Sequence, residues 1–306
     1  MLKYTLKRVL LLIPTIIGIT LFIYLIMSLV PGDPVEMLSP LEATFEEKEA
    51  LRAELGLDKP ILVQYANYMW NVLHGDFGVS WFTKQPVINE ISNRMPYTLT
   101  LGVLSTLIAS LISIPLGTLT AVKHNSLPDY AITFLCLLLA AMPGFWLGLL
   151  LQIYLSLQAG WFPAYGVGTM QHYVLPVIAV CAASVATNIR STRTWVLDVI
   201  RSDYVRTARA KGASEIIVIM KHALRNALLP IVTGFGSSFA MVLGSSVVIE
   251  TVFAIPGTST YLTSAVKTRD MPIIMGCILV ISIFVGIVNL LVDLTYSVID
   301  PRVKYE

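Results

Sequence analysis

Apolar residues gather in six long runs, at 9–30, 98–122, 131–157, 173–194, 228–249 and 273–296. Each is about as long as an α-helix must be to cross roughly 30 Å of hydrocarbon. A strand with open edges would leave backbone N–H and C=O groups unpaired in lipid, so helices are the form these runs can take. The pattern therefore predicts an all-α, polytopic membrane protein with six transmembrane helices. Pro115, Pro143 and Pro176 fall within the runs, and an interior proline removes a helical hydrogen bond and kinks the chain. Met142-Pro143-Gly144, in the middle of the third run, is the expected break.

Polar residues collect mainly in two stretches, and these set the domain boundaries. Residues 1–30 form a tail and the first helix, 31–97 an extracytoplasmic cap, and 98–306 a five-helix core with a loop at about 195–228. In the cap, 44–55 has the pattern of an amphipathic helix, with Thr44 as N-cap and Glu47 in the capping-box position. Leu57-Asp58-Lys59-Pro60 then turns the chain, and 64–73 carries Tyr65, Tyr68 and Met69 at helical spacing.

Composition agrees with this. The 306 residues are 56% hydrophobic and 13% charged, with mean hydropathy +0.75; soluble domains carry about 25% charged residues. A net charge of +2 gives no reason to expect a nucleic-acid partner. Cys136, Cys181 and Cys277 lie in apolar runs, odd in number and without a CxxC pair, so neither a disulfide framework nor a metal site is expected. Lys3, Lys7 and Arg8 before the first run resemble a signal peptide's start. However, the run is span-length and leads straight into Pro31-Gly32-Asp33-Pro34 without a small-x-small cleavage site, which predicts an uncleaved helix.

Charge placement gives the orientation. Residues 190–225 hold eight Lys or Arg against three acids, and the tails add Lys3, Lys7 and Arg8 at one end and Arg302 and Lys304 at the other. With six spans these regions share one side, the cytoplasmic side by the positive-inside rule. The opposite side receives 31–96, with ten acids against five bases, and 157–172, which has no Lys, Arg, Asp or Glu. Both termini are expected inside.

The inner stretch carries the candidate chemistry. Around Arg206, Ala208, Arg209, Ala210, Lys211, Gly212, Ala213, Ser214 and Glu215 the pattern predicts two helices with Gly212 between them and Ser214 as N-cap of the second. Small residues permit close approach by another protein, and the cations supply a rim; a short helix on the cytoplasmic face suits docking into a groove. Physics alone leaves equal room for a basic loop that only orients the chain. Within the membrane, Met142 and Pro143 at the break, with Ser245, Ser246 and Glu250 in the fifth run, are candidates for a solute path. Close helix packing is the competing reading for the serines. Asp293 fits either that path or a helix-end ion pair with Arg302 or a basic loop residue. Tyr65, Tyr68, Trp70, Phe77, Trp81 and Phe82 fit the cap's own core or an aromatic belt. His172 and His222 stand alone, and no metal-ligand or catalytic set is expected.

The inner stretch resembles the cytoplasmic signature of ABC importer permeases. More narrowly, the run from Tyr204 to Gly212, followed by His222-Ala223-Leu224-Arg225-Asn226-Ala227 and Leu229-Pro230, is similar to the dipeptide, oligopeptide and nickel branch. Arg206 stands where the general signature has glutamate, and the interval from Gly212 to Pro230 is wider; both are usual in that branch. Pro31-Gly32-Asp33-Pro34, Leu55-Gly56-Leu57-Asp58-Lys59-Pro60, Gly75-Asp76-Phe77-Gly78-Val79-Ser80, Asn289-Leu290-Leu291-Val292-Asp293-Leu294 and Asp300-Pro301-Arg302 match it in order.

The resemblance implies a type I importer permease in a bacterial inner membrane. Its implied partners are a second, related permease, two ATPase subunits and an extracytoplasmic solute-binding protein. Short peptides are the implied solute, with glutathione or nickel complexes as alternatives. ATP and Mg²⁺ belong on the ATPase subunits and no cofactor on this chain, which has no GxxxxGK[ST] phosphate loop. A stand-alone channel or secondary transporter remains a competing class, although no internal repeat is visible. An intramembrane enzyme would need a nucleophile or metal motif, and neither HExxH nor GxSxG occurs.

Overall fold

The computed structural model describes residues 2–299. In chain order the helices are α1 (Leu2–Leu29), α2 (Pro34–Leu38), α3 (Phe45–Glu54), α4 (Ile61–Leu73), α5 (Val87–Val122), α6 (Leu127–Ala141), α7 (Gly144–Leu151), α8 (Gln171–Ile200), α9 (Asp203–Ala210), α10 (Glu215–Ile217), α11 (Arg225–Val252), α12 (Thr258–Thr268) and α13 (Met271–Ile299). Two π-helical stretches, Gln152–Gln158 and Val218–Leu224, follow α7 and precede α11. Among the described residues there is no strand, only an isolated bridge between Val79 and Pro86. The closing Asp300-Pro301-Arg302 and Lys304 lie outside the described residues.

Among the described residues, five helices are long and apolar enough to cross a membrane: Arg8–Leu29, Val87–Val122, Gln171–Ile200, Glu215–Val252 and Met271–Thr295. The third expected span is not one continuous helix. It is the pair Leu127–Ala141 and Gly144–Gln158, bent by 97°, and counting the pair as one span gives six. The physical cause is Pro143. A residue before proline is pushed out of the α region, and Met142 is extended at φ −84°, ψ 125°. Pro176 and Pro230, by contrast, sit inside continuous helices.

The chain forms two compact units. One contains Thr98–Ile255 and the chain from Ile287, and the other Leu6–Tyr97 with Pro256–Gly286.

In the second unit, Val87, Ile91, Ala265, Ile273, Ile274 and Cys277 form a buried cluster, with Ile23 and Met27 packed against it. Tyr24, Tyr65 and Met275 form another, with the two tyrosine rings edge to face at 5.7 Å. Tyr65 donates to the Ile17 carbonyl at 3.0 Å and lies 2.9 Å from the Thr20 hydroxyl, so the segment after α1 is stitched back onto α1. Of the cap aromatics, Tyr65 is therefore core, whereas Trp70 and Phe82 are exposed. Asp270 is buried and accepts from the Ser80 hydroxyl at 2.6 Å, and Arg269 donates to the carbonyls of Val30 and Pro31 at the end of α1.

The acidic helix α3 buries none of its residues, so its stability rests on local capping. The Thr44 hydroxyl accepts from Glu47 N, and Glu47 accepts from Thr44 N at 2.8 Å, a closed capping box. The Thr44 backbone and hydroxyl hold the Glu47 carboxyl below its usual range. Thr44→Ala is expected to cost the helix about 1 kcal/mol, seen as faster amide exchange in its first turn with transport unchanged.

The first unit is built around α8. It packs against α6 through Cys136, Cys181, Ala186 and Ile189, and against α11 through Val196, Ala227 and Ile231. All three cysteines are free and buried, and they act as small apolar packing residues. Much of the remaining apolar surface is exposed, including Leu111, Phe134, Leu135 and Met241. In water that would be an aggregation hazard, whereas lipid or another membrane chain covers it without cost.

Candidate functional site

At one end of the first unit, α9, α10 and the second π-helical stretch form the loop between α8 and α11. Val205 and Ala208 on the inner face of α9 pack with Val218, Val199 and Ala213. Ala208 thus lies inside the loop and lets α9 sit close to its neighbour, whereas Ala210, Lys211 and Gly212 are exposed. Helix α9 ends in a Schellman arrangement: Ala213 N donates to Ala208 O at 3.3 Å, and Gly212 N to Arg209 O at 2.9 Å. That turn needs a left-handed residue, and Gly212 has φ +78°. Arg209 Nε bonds Glu215 Oε1 at 2.8 Å across the turn. Both side chains are largely exposed, so the pair shapes the tip more than it stabilises it. Ser214 takes the N-cap position of α10, though its side chain makes no cap bond.

Sequence reasoning missed the apolar part of this surface. Tyr204, Ile216, Ile217 and Met220 are all exposed and flank the turn together with Arg206 and Lys211. The available signal was the apolar run Ile216-Ile217-Val218-Ile219-Met220 inside the otherwise basic loop, in which Ile216 and Met220, four apart, share one helical face. An apolar centre with a cationic rim is the make-up of a protein interface. The seven-residue π stretch is itself unusual, since such segments are rare and frequent at functional sites.

The membrane candidates divide. A groove of about 360 Å³ runs between α7, α8 and α11, lined among others by Phe145, Ser184, Thr187, Ser238, Met241 and Ser245. Ser246 and Glu250, also placed on the path from sequence, are fully buried. Ser246 is one residue, about 100° of helix rotation, from Ser245. Glu250 accepts from the Thr98 hydroxyl at 2.7 Å and lies 3.5 Å from the Ser246 hydroxyl, which ties α11 to α5. Met142 and Pro143 mark the break, whereas the next residues, Gly144 and Phe145, line the groove. Thr187, Ser238 and Ser245 already donate to carbonyls of their own helices, so towards the groove they offer acceptor lone pairs. Among the described residues no group of three or more metal-ligating side chains occurs. His172 turns back on Thr169, and Arg302, one partner considered for Asp293, lies outside the described residues.

Residues 113–305 match the family model described as "Binding-protein-dependent transport system inner membrane component". Residues 1–102 match "Binding-prot-dependent transport system membrane comp, N-term". The chain belongs to this family. It is a multi-pass permease of the ABC importer class, and such a permease is not itself catalytic. The glutathione transport system permease protein GsiC of Escherichia coli (strain K12) is 40% identical over 306 residues, covering all of both chains. GsiC of Salmonella typhi and of Salmonella typhimurium (strain LT2) are similar to the same extent. As a permease of binding-protein-dependent import, the chain works with an ATPase and a solute-binding protein.

Proposed function

We propose that this permease imports short peptides, glutathione among them, as one half of a heterodimer with a second, related permease. End-to-end 40% identity to permeases named for glutathione transport carries the reading. Groove hydroxyls that offer acceptors to a peptide's ammonium and amide groups are consistent with it. Two ATPase subunits holding ATP and Mg²⁺ sit against the exposed tip from Arg206 to Met220. The basic surface there faces the cytoplasm, as do both termini, and the membrane is the bacterial plasma membrane. The solute-binding protein meets segment 31–97, whose charge is predominantly acidic. Closure of the ATPases displaces the tip and rocks the helices between outward- and inward-facing arrangements.

The test is uptake by proteoliposomes containing the whole complex and its binding protein. Glutathione and dipeptides are expected to compete for import. The solute reading fails if mass spectrometry finds a nickel complex on the binding protein and no peptide competes with it.

A further inference from the structure

We propose that Asp129 and Arg193 are a positioning clamp that makes the cytoplasmic tip and the broken helix α6–α7 move as one body. The proposal rests on the ATPase-docking reading of the tip and adds how displacement there reaches the groove.

Asp129 lies in the first turn of α6 with its side chain 2% exposed. It accepts from Arg193 Nε at 2.8 Å and Nη2 at 2.7 Å, and from Asn125 N at 3.0 Å. The two-pronged guanidinium–carboxylate pair is stronger and more directional than a single bond. His124 completes the cluster, its Nδ1 2.7 Å from Arg193 Nη2 and 3.5 Å from Asp129 Oδ2. Since arginine can only donate, Nδ1 is the acceptor in that contact.

What distinguishes this cluster is its place in the chain of contacts. Arg193 is on α8, two turns before the helix ends and α9 begins. The tip is fixed to the end of α8 by the Val199, Val205 and Val218 packing, so a push on the tip moves α8. Helix α6 also packs along α8 through apolar side chains, but apolar contact fixes separation better than register and permits sliding, as in shear motions. The fork fixes register. It grips α6 in its first turn; at the other end, 12 residues on at Ala141 or about 18 Å away, the chain bends at Pro143 into α7. Gly144 and Phe145 of α7 form one wall of the groove. The clamp, α6 and the bend together make a lever from the tip to that wall.

Arg193→Lys retains the charge but offers one donor group in place of the planar fork. Asp129→Glu retains both charges and shifts their register by a methylene. Each is tested in the full complex with its ATPases and binding protein, reading complex yield, ATP hydrolysis and solute imported per ATP. The expected result is normal yield and hydrolysis, with solute per ATP down at least roughly five-fold, the low end of ordinary coupling energies. An unchanged ratio, a proportionate fall in import and hydrolysis, or failure of both variants to assemble would each overturn the clamp. Ile216→Asp serves as control for the docking reading, because it places a charge in the apolar centre of the tip. Loss of ATPase co-purification in that control supports docking, so a normal ratio in the clamp variants then counts against the clamp alone. If the control retains its ATPases, the docking reading itself has failed.

Discussion

Gly212→Trp is expected to abolish import while leaving the permease folded. In this chain an added Cβ at Gly212 meets no atom within 4 Å, so an indole there projects off the tip into whatever docks on it. At the centre of a protein interface such an intrusion costs about 2 kcal/mol or more, and each 1.4 kcal/mol is ten-fold in affinity. Co-purification of the ATPase subunits should therefore fall by about thirty-fold, and stimulated ATP hydrolysis with it. The backbone supplies the control. With φ at +78°, any side chain at Gly212 brings left-handed strain, roughly 1–2 kcal/mol for most residues and least for Asn, which visits that region readily. Gly212→Asn thus retains most docking, and Gly212→Ala is intermediate. Equal losses in all three would assign the effect to strain at the turn, and full coupling in the Trp variant would remove the tip from the ATPase interface.

Most of this architecture was legible because membrane insertion leaves the backbone few choices. Each run long enough to span became helix, and the break at Pro143 followed from the extended conformation proline imposes on Met142. The size of that bend did not follow, because it depends on how α6 and α7 pack on α8. The extra length of α5, beginning at Val87 rather than near residue 98, was also hidden. Its first turns are polar, with Glu90, Ser92, Asn93 and Arg94, and a hydropathy pattern ends where the lipid-facing surface ends.

The site was legible only in part, for a related reason. Sequence reasoning located the tip from small and basic residues but read Ala208 as outward-facing; its place opposite Val218 depends on the turn at Gly212 folding α9 back. Tyr204, Ile216 and Met220 stand out only because the fold leaves them uncovered. The serine pair in α11 was taken together, although the roughly 100° between helix neighbours puts only Ser245 on the groove. The Asp129–Arg193 pair, 64 positions apart, left no local signal at all. Arg193 counted only as one of the basic residues of the inner stretch and Asp129 drew no reading, and only the approach of α6 to α8 joins them around one buried carboxylate.

That approach, and the tighter one of α5 to α8, set the second large expected effect. Gly117→Leu should prevent recovery of folded permease, and Gly117→Ala should already lower the midpoint of thermal unfolding in detergent. A Cβ at Gly117 would lie 2.6 Å from Thr192 Cβ and 2.8 Å from the Ile189 carbonyl oxygen. One of these obstacles is backbone and the other a stiff β-branched carbon on α8, so neither can swing aside, and the helices must separate. Overpacking of this kind costs about 1–3 kcal/mol for a methyl-sized intrusion, and membrane helices that pack through small residues have little other attraction to make up the loss. Thr192→Gly removes the side-chain obstacle but leaves the carbonyl, so the double variant with Gly117→Ala should recover only part of the midpoint. Gly244 gives the contrast. No atom lies within 4 Å of its Cβ position, so Gly244→Ala should leave the midpoint unchanged or raise it, alanine being the better helix former by up to about 1 kcal/mol. Equal midpoints for the two alanine variants would mean that α5 and α8 do not touch at Gly117.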